Sequence, residues 1–475
     1  MLAGLPLTLD GRGCASDYAA ALLNSLRAAV HRAGVRDDTP PAIAWAQSGA
    51  MALTGRSDGP PLMCPAPLAS CVEGVRAAFL ALTEAAPPLS LALPGVTTLG
   101  ERAALSGLTR HGAIAPGGAC HLLRAADGWL AINLTRPDDW QLVPAWLEGV
   151  ALAIDDWHGL TLQIAAQRCE RLIERAGLLG LAAAPLLPLS PLLPLLPCAA
   201  QDESWFRVVT EGLPRKPDQD RGAAPLVIDL SALWAGPLAS HLLQLAGMRV
   251  VKVESRQRPD GARNGPPAFF DLMNHGKASV AFDFADPHDI ARLRELLGRA
   301  DIVIESARPR GLRQLGISAE ELVATTPGLT WISITGYGRD AAHENRIAYG
   351  DDAGVAAGLS ALLFEVMNES MNEPLFCGDA IADPLTGWHA ALVALASRRS
   401  GCGRLISLAL HDVVAHCLHH TLPATAEERR ARWRDWSTRI DTAQVASPKA
   451  RTAPGAARPL GADTAAILGE LDIAC

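Results

Sequence analysis

Residues 226–255 read LVIDLSALWAGPLASHLLQLAGMRVVKVES. The run Pro225-Leu226-Val227-Ile228-Asp229-Leu230 is short and apolar, the signature of a strand buried on both faces. A turn at Ala235-Gly236-Pro237 leads into Leu238 to Ala246, where apolar residues recur with helical spacing, and Val250-Val251-Lys252-Val253-Glu254 is a second buried run. This is a β-α-β unit. Further along, Asp301-Ile302-Val303-Ile304-Glu305 and Leu329-Thr330-Trp331-Ile332-Ser333-Ile334 add strands between helical stretches. Strands alternating with helices predict an α/β fold with a doubly wound parallel sheet. In such sheets ligands bind beyond the carboxyl ends of the strands, which places the turn at Ala235-Gly236-Pro237 beside any ligand.

Upstream the pattern changes. Asp17 to Ala33 and Glu73 to Leu82 have helical spacing, so the first region reads as largely helical. Trp129 to Leu134 reads as a strand after the turn Asp127-Gly128, which predicts a small α+β unit ending near Leu179. From Ala176 to Ala200 no residue is charged, but Pro185, Pro188, Pro191, Pro194 and Pro197 recur every third position. Interior prolines cost a helix about 3 kcal/mol each, so this is no membrane span. The expectation is an apolar polyproline linker, followed by a charged stretch from Gln201 to Arg221. The resulting division is 1–180, a linker 181–222, the β-α-β half 223–415 and a tail 416–475.

Composition narrows the function. The chain has 475 residues, 42 Lys+Arg and 50 Asp+Glu, for a net charge of −8. No basic block is long enough to follow a phosphate backbone, so nucleic acid is not an expected partner, and neither is a membrane. The ten cysteines are scattered singly, without the pairs of a zinc or redox site, and no secretory signal opens the sequence. Reduced thiols in a cytoplasmic protein are expected.

One carboxylate stands out. PLFCGDAIADPLTGWH, from Pro374 to His389, sets Asp383 between a loop and an apolar helix. A related segment, PLMCPAPLASCVEG from Pro61 to Gly74, aligns Ser70 with Asp383 and Gly74 with Gly387. Two readings of Asp383 stand: a helix N-cap before Pro384, or a nucleophile whose ionised form the helix terminus favours.

Five blocks then carry a resemblance: residues 226–255, NHGKASVAFDF (274–284), DIVIESARPRGLRQLGI (301–317), ISITGYG (332–338) and DAIADPLTGWHAAL (379–392). In this order they are similar to family III CoA-transferases. AWAQSGAMALTGRSDGPPL (44–62), DGWLAINL (127–134) and ARPLGADTAAILGELDI (457–473) are similar to other parts of the family, in an order that looks permuted or partly duplicated. The resemblance implies a Rossmann-like large domain, a small α+β domain and a homodimer. It implies transfer of CoA from an acyl-CoA donor to a small carboxylic acid, with no cofactor beyond coenzyme A as substrate. Asp383 is then the nucleophile, forming an acyl anhydride and an aspartyl-CoA thioester. Gly117 and Gly118 match the family's glycine loop, although two glycines beside a proline also make an ordinary turn. Leu233, Trp234 and Ala235 fall at the pantetheine; Trp234 either reshapes the acyl pocket or is a core aromatic. Arg256 and Lys277 are the basic residues nearest the expected CoA phosphates. Two alternatives remain. A racemase would pair the aspartate with a histidine, but the matching stretch is Tyr349-Gly350-Asp351. A non-catalytic CoA-binding scaffold is the other, since Ser70 shows one copy without its acid.

Overall fold

The computed structural model describes residues 1–83, 93–189, 205–216, 224–367 and 372–474. Its centre is a seven-stranded sheet built from β6 (Arg207–Pro214), β7 (Leu226–Leu230), β8 (Arg249–Ser255), β9 (Ala278–Phe282), β10 (Ile302–Glu305), β11 (Thr330–Thr335) and β12 (Cys402–Ala409). The spatial order is β6-β12-β11-β10-β7-β8-β9; all neighbours are parallel except the edge pair β12–β6. The strand order reverses between β7 and β10, and there a crevice opens at the carboxyl ends of the strands. β7, β8, β10 and β11 lie where their apolar runs place them, because a strand covered on both faces must be apolar throughout.

The helices that position the site are α1 (Cys14–Ser25), α2 (Leu68–Leu82), α3 (Glu101–Ser106), α4 (Ala235–Leu245), α5 (Gly350–Ala356) and α6 (Ala382–Arg399). α6 is buried along almost its whole length and packs against α4. Among the described residues no helix is long and apolar enough to cross a membrane.

The first region holds helices as expected but opens on a two-stranded sheet as well. β1 (Pro6–Arg12) and β2 (Ala29–Asp37) flank α1 and pair in parallel, so the stretch expected as helix to Ala33 ends at Ser25 and turns into a strand. A left-handed Arg27, φ 66°, makes that turn. This β-α-β unit repeats the geometry of β7-α4-β8. Pro6 pairs with Ala29 and Leu226 with Arg249, closing loops of equal length. Gly247 is left-handed where Arg27 is, and Leu233 where Gly13 is. α2 matches α6 in the same way. A Cβ on Gly74 would lie 2.5 Å from the Ala15 carbonyl and 3.0 Å from Tyr18 Cβ; one on Gly387 would lie 2.8 Å from the Ala235 carbonyl and 3.1 Å from Leu238 Cβ. The Ser70/Asp383 correspondence therefore extends over two strands and two helices.

Residues 181–222, expected to be a linker, contain two strands. β5 (Ala182–Leu186) closes a three-stranded antiparallel sheet with β3 (Cys120–Ala125) and β4 (Gly128–Asn133), and β6 pairs with β12. Pro185 is tolerated because β5 is an edge strand, where a missing N–H leaves no ladder bond broken. Pro191, Pro194 and Pro197 lie outside the described residues.

The close approach of α6 to α4 has a measurable consequence. Gly387→Ala forces the two helices apart and is expected to lower stability by about 1–3 kcal/mol, read as a reduced denaturant midpoint at unchanged m-value.

Candidate active site

Asp383 sits where three turns converge. After β7, Leu233 adopts φ 67° and donates its N–H to Asp260 Oδ1 (2.9 Å). That left-handed backbone is costly for a branched side chain and is held by the bond. It rotates Trp234 inward, edge-on to Phe269 at 5.5 Å between centroids, and leaves the amide of Ala235 facing Asp383. Before α6, Ala380 is also left-handed, φ 42°. Its N–H donates to Asp351 Oδ1 (2.8 Å), and its carbonyl accepts from the Asp383 N–H (2.9 Å). The third element is the start of α5. A Cβ on Gly350 would collide with Asp383 Oδ2 and lie 2.5 Å from the Ala380 carbonyl oxygen, so only glycine lets α5 close on the carboxylate.

The N-cap of α6 is Ile381, with no side-chain capping bond, and Asp383 lies inside the first turn. The capping role is therefore not what Asp383 does here; its carboxylate projects into a cavity while still near the positive end of the helix.

The electrostatics are unusual. Burial is the largest influence on Asp383 and lifts it to about 7; Arg102 opposes the rise and Asp351 adds to it. Burial likewise lifts Asp351 to about 6 and Asp352 to about 8. Arg102, on α3, donates Nε to Asp379 Oδ2 (2.9 Å) and a second nitrogen to Oδ1. Asp379, Asp351 and Asp383 thus gather near one partly buried guanidinium, and near neutral pH Asp383 is poised between its two forms. Proton binding to the folded state at these raised groups stabilises it below their unfolded values. That contribution is lost as pH rises through about 6 to 8.

Asp383 is half-buried at a cavity of about 230 Å³, whose lining includes Leu233, Ala235, Tyr349, Arg136 and Arg308. Arg136 is paired with Asp139 (2.7 Å). Burial and the guanidinium groups of Arg310, Arg136 and Arg258 hold Arg308 below the usual arginine range, a repulsion that a bound anion would relieve. A second cavity, about 470 Å³, lies at the carboxyl ends of β7, β8 and β10. Its walls are largely apolar, with Leu230, Phe284, Leu312 and Leu315, and Arg258 at the edge. Ala232 lines both cavities, so the slot at the sheet switch point adjoins the cavity of Asp383.

The structure brings together Asp383, Leu233 and Ala235, and sets Gly117 close by: a Cβ there would lie 3.0 Å from the Arg102 guanidinium. Gly118 is left-handed with open space around it, and its carbonyl oxygen lies 3.1 Å from His121 Nε2. Trp234 is the core aromatic of the two readings, 2% exposed with Arg102 over its ring at 5.9 Å. Lys277 is not available to phosphates. Its ammonium is buried and committed to Asp229 (3.0 Å), Ser240, Asn274 and the Pro237 carbonyl, because Asp229 in the middle of β7 requires a cation. Arg256 lies outside the slot, 3.8 Å from Asp289, and Arg258 takes its place. His389 is buried and bonded to the Tyr18 hydroxyl (2.8 Å). Sequence reasoning missed Arg102, Asp379, Arg136 and Arg258. Asp379 had a local signal, a second acid one helical turn before Asp383 and directly after Gly378; Arg102 had none, since its contact spans the two halves.

A largely parallel α/β sheet with a crevice at its switch point and a half-buried carboxylate beside it defines the class, an α/β protein with a candidate ligand site at that crevice. Residues 225–447, just under half of the chain, match the model of CoA-transferase family III. Succinate–glutarate CoA-transferase of Agrobacterium fabrum is 33% identical over 207 residues, covering 39% of this chain and 50% of that protein. Succinyl-CoA–D-citramalate CoA-transferase of Chloroflexus aurantiacus is 28% identical, covering 42% and 51%, and human succinyl-CoA:glutarate CoA-transferase 30%, covering 41% and 46%. The chain spans about half the length of the curated relatives it matches. A CAIB/BAIF family protein from Brucella suis, known from its crystal structure, is 28% identical with a TM-score of 0.37, covering 51% of this chain and 60% of that one.

Proposed function

We propose that the protein moves CoA from an acyl-CoA donor to a small carboxylic acid, with Asp383 as nucleophile. The observation that carries this reading is the Asp383 carboxylate lining a cavity that adjoins, at Ala232, the slot at the sheet switch point. In this reading the sheet is Rossmann-like, the slot takes the adenosine end of CoA, and pantetheine runs past Ala232 and Leu233 to Ala235. Asp383 attacks the thioester carbonyl carbon; the C–S bond breaks and CoA leaves as thiolate, giving a mixed anhydride. The thiolate attacks the aspartyl carbon and releases the donor acid, giving an aspartyl-CoA thioester. The acceptor carboxylate attacks that thioester, the thiolate departs again, and its attack on the acceptor's acyl carbon returns Asp383 as carboxylate. Arg136 and Arg308 supply positive charge for an anionic acyl group or for CoA phosphates. Gly117 would furnish a backbone donor to the thioester oxygen, whereas the Gly118 N–H is committed to the Ala115 carbonyl (2.8 Å). The names of the relatives suggest C4 and C5 dicarboxylic acids as first candidates. The resemblance further implies a cytoplasmic homodimer.

The test is an assay of succinyl-, glutaryl- and acetyl-CoA against a panel of mono- and dicarboxylic acids, following the new acyl-CoA by chromatography. Exchange with any pair supports the reading; hydrolysis alone or no turnover contradicts it. Because Asp383 must be ionised to attack, and sits at about 7, the rate is expected to rise with pH through a midpoint near 7. A profile already flat from pH 5 upward would contradict that assignment.

A further inference from the structure

Arg102 lies outside the region that matches the family, yet its side chain meets the turn before α6 and the turn after β7. Its guanidinium grips both oxygens of Asp379, which is fully buried and immediately precedes the left-handed Ala380. It stacks over Trp234, the residue before the Ala235 amide. It also fills the space beneath Gly117 that a Cβ would need. A second residue of the first half holds the same turn, since the Thr54 hydroxyl accepts the Gly378 N–H (2.9 Å). The segment 378–383 is thus clamped at Gly378 by Thr54, at Asp379 by Arg102 and at Ala380 by Asp351.

The charges facing Asp383 are few and identifiable. Asp351 comes from α5, Asp379 from the turn before α6, and Arg102 from α3; Arg136, Arg308 and Tyr349 line the cavity. Within the carboxyl cluster, Arg102 is the cation paired to Asp379. We propose that Arg102 is a positioning residue for Asp383, contributed by the first half of the chain, which locks the 378–383 turn and balances the charge of the neighbouring carboxylates. This rests on Asp383 being the reactive group, and it explains why the family-matched half alone does not complete the site.

The test reads Asp383 without requiring transfer. Carbodiimide with an amine nucleophile labels protonated carboxyls, and peptide mass spectrometry gives the labelling of Asp383 against pH. The wild type is expected to show a midpoint near 7. Arg102→Gln removes the opposing cation and should move the midpoint up by about one unit or more, while Asp379→Asn leaves the cation unbalanced and should move it down. Arg102→Lys keeps the charge and should hold the midpoint near wild type while slowing transfer through a looser turn. A merely structural role would not shift the two variants in opposite directions. Midpoints unchanged, or displaced the same way in both, overturn the proposal; if Arg102→Gln does not fold, an unchanged midpoint in Asp379→Asn does so alone. If labelling behaves as expected but no acyl-CoA is turned over, the transferase reading has failed and the role of Arg102 stands.

Discussion

Asp383→Ala should retain the fold and lose CoA transfer by at least about 10⁴-fold, because removing the group that forms the covalent intermediate removes the route rather than slowing a step. The substitution deletes a half-buried carboxylate from beside Asp351 and Asp379, so stability should not fall and is expected to rise at pH 8, where these acids compete to ionise. CoA binding should persist, since the slot at β7, β8 and β10 does not include Asp383. Equilibrium binding of CoA together with the steady-state rate separates these effects: unchanged affinity with the rate abolished is the expected pattern. A residual rate within tenfold of wild type would require another nucleophile.

The second large effect is expected at Gly350→Ala. The added methyl would occupy the position of Asp383 Oδ2 and press on the Ala380 carbonyl, so the carboxylate must rotate or α5 must retreat. A displacement near 1 Å costs roughly 10²-fold in a positioned reaction, and the overpacking about 1–3 kcal/mol. The rate should fall far more than the melting temperature suggests, with affinity for CoA little changed. Wild-type activity in this variant would mean that the approach of α5 to Asp383 has no part in the chemistry.

Much of the second half was legible because physics leaves its sequence little freedom. A strand buried on both faces, such as Leu226–Leu230, must be apolar throughout, and the turn after it sits at the sheet's carboxyl edge whatever its residues. Asp383 was legible for a related reason, an acid at the head of a long apolar helix. β1 and β2 were not, because both are largely exposed and carry Arg12, His31, Arg32 and Arg36, so they lack the apolar run that marks a buried strand. They become recognisable only through the pairing that repeats β7 and β8. Lys277 misled because a basic residue before a strand reads as surface; what draws it inward is Asp229, distant in sequence and buried. Arg102 was invisible for the same reason, since its partner Asp379 lies in the other half of the chain. Charge networks are set by tertiary placement, whereas buried strands and helices are set by local pattern.

The central claim is covalent chemistry at Asp383, and trapping tests it most directly. The protein is incubated with succinyl-CoA or glutaryl-CoA, quenched with hydroxylamine, and mapped by peptide mass spectrometry beside Asp383→Ala. A hydroxamate at Asp383 in the wild type, absent from the variant, is the expected result. No adduct with any donor, despite measurable CoA binding, would contradict the anhydride and thioester route and leave the chain a CoA-binding protein without transferase chemistry.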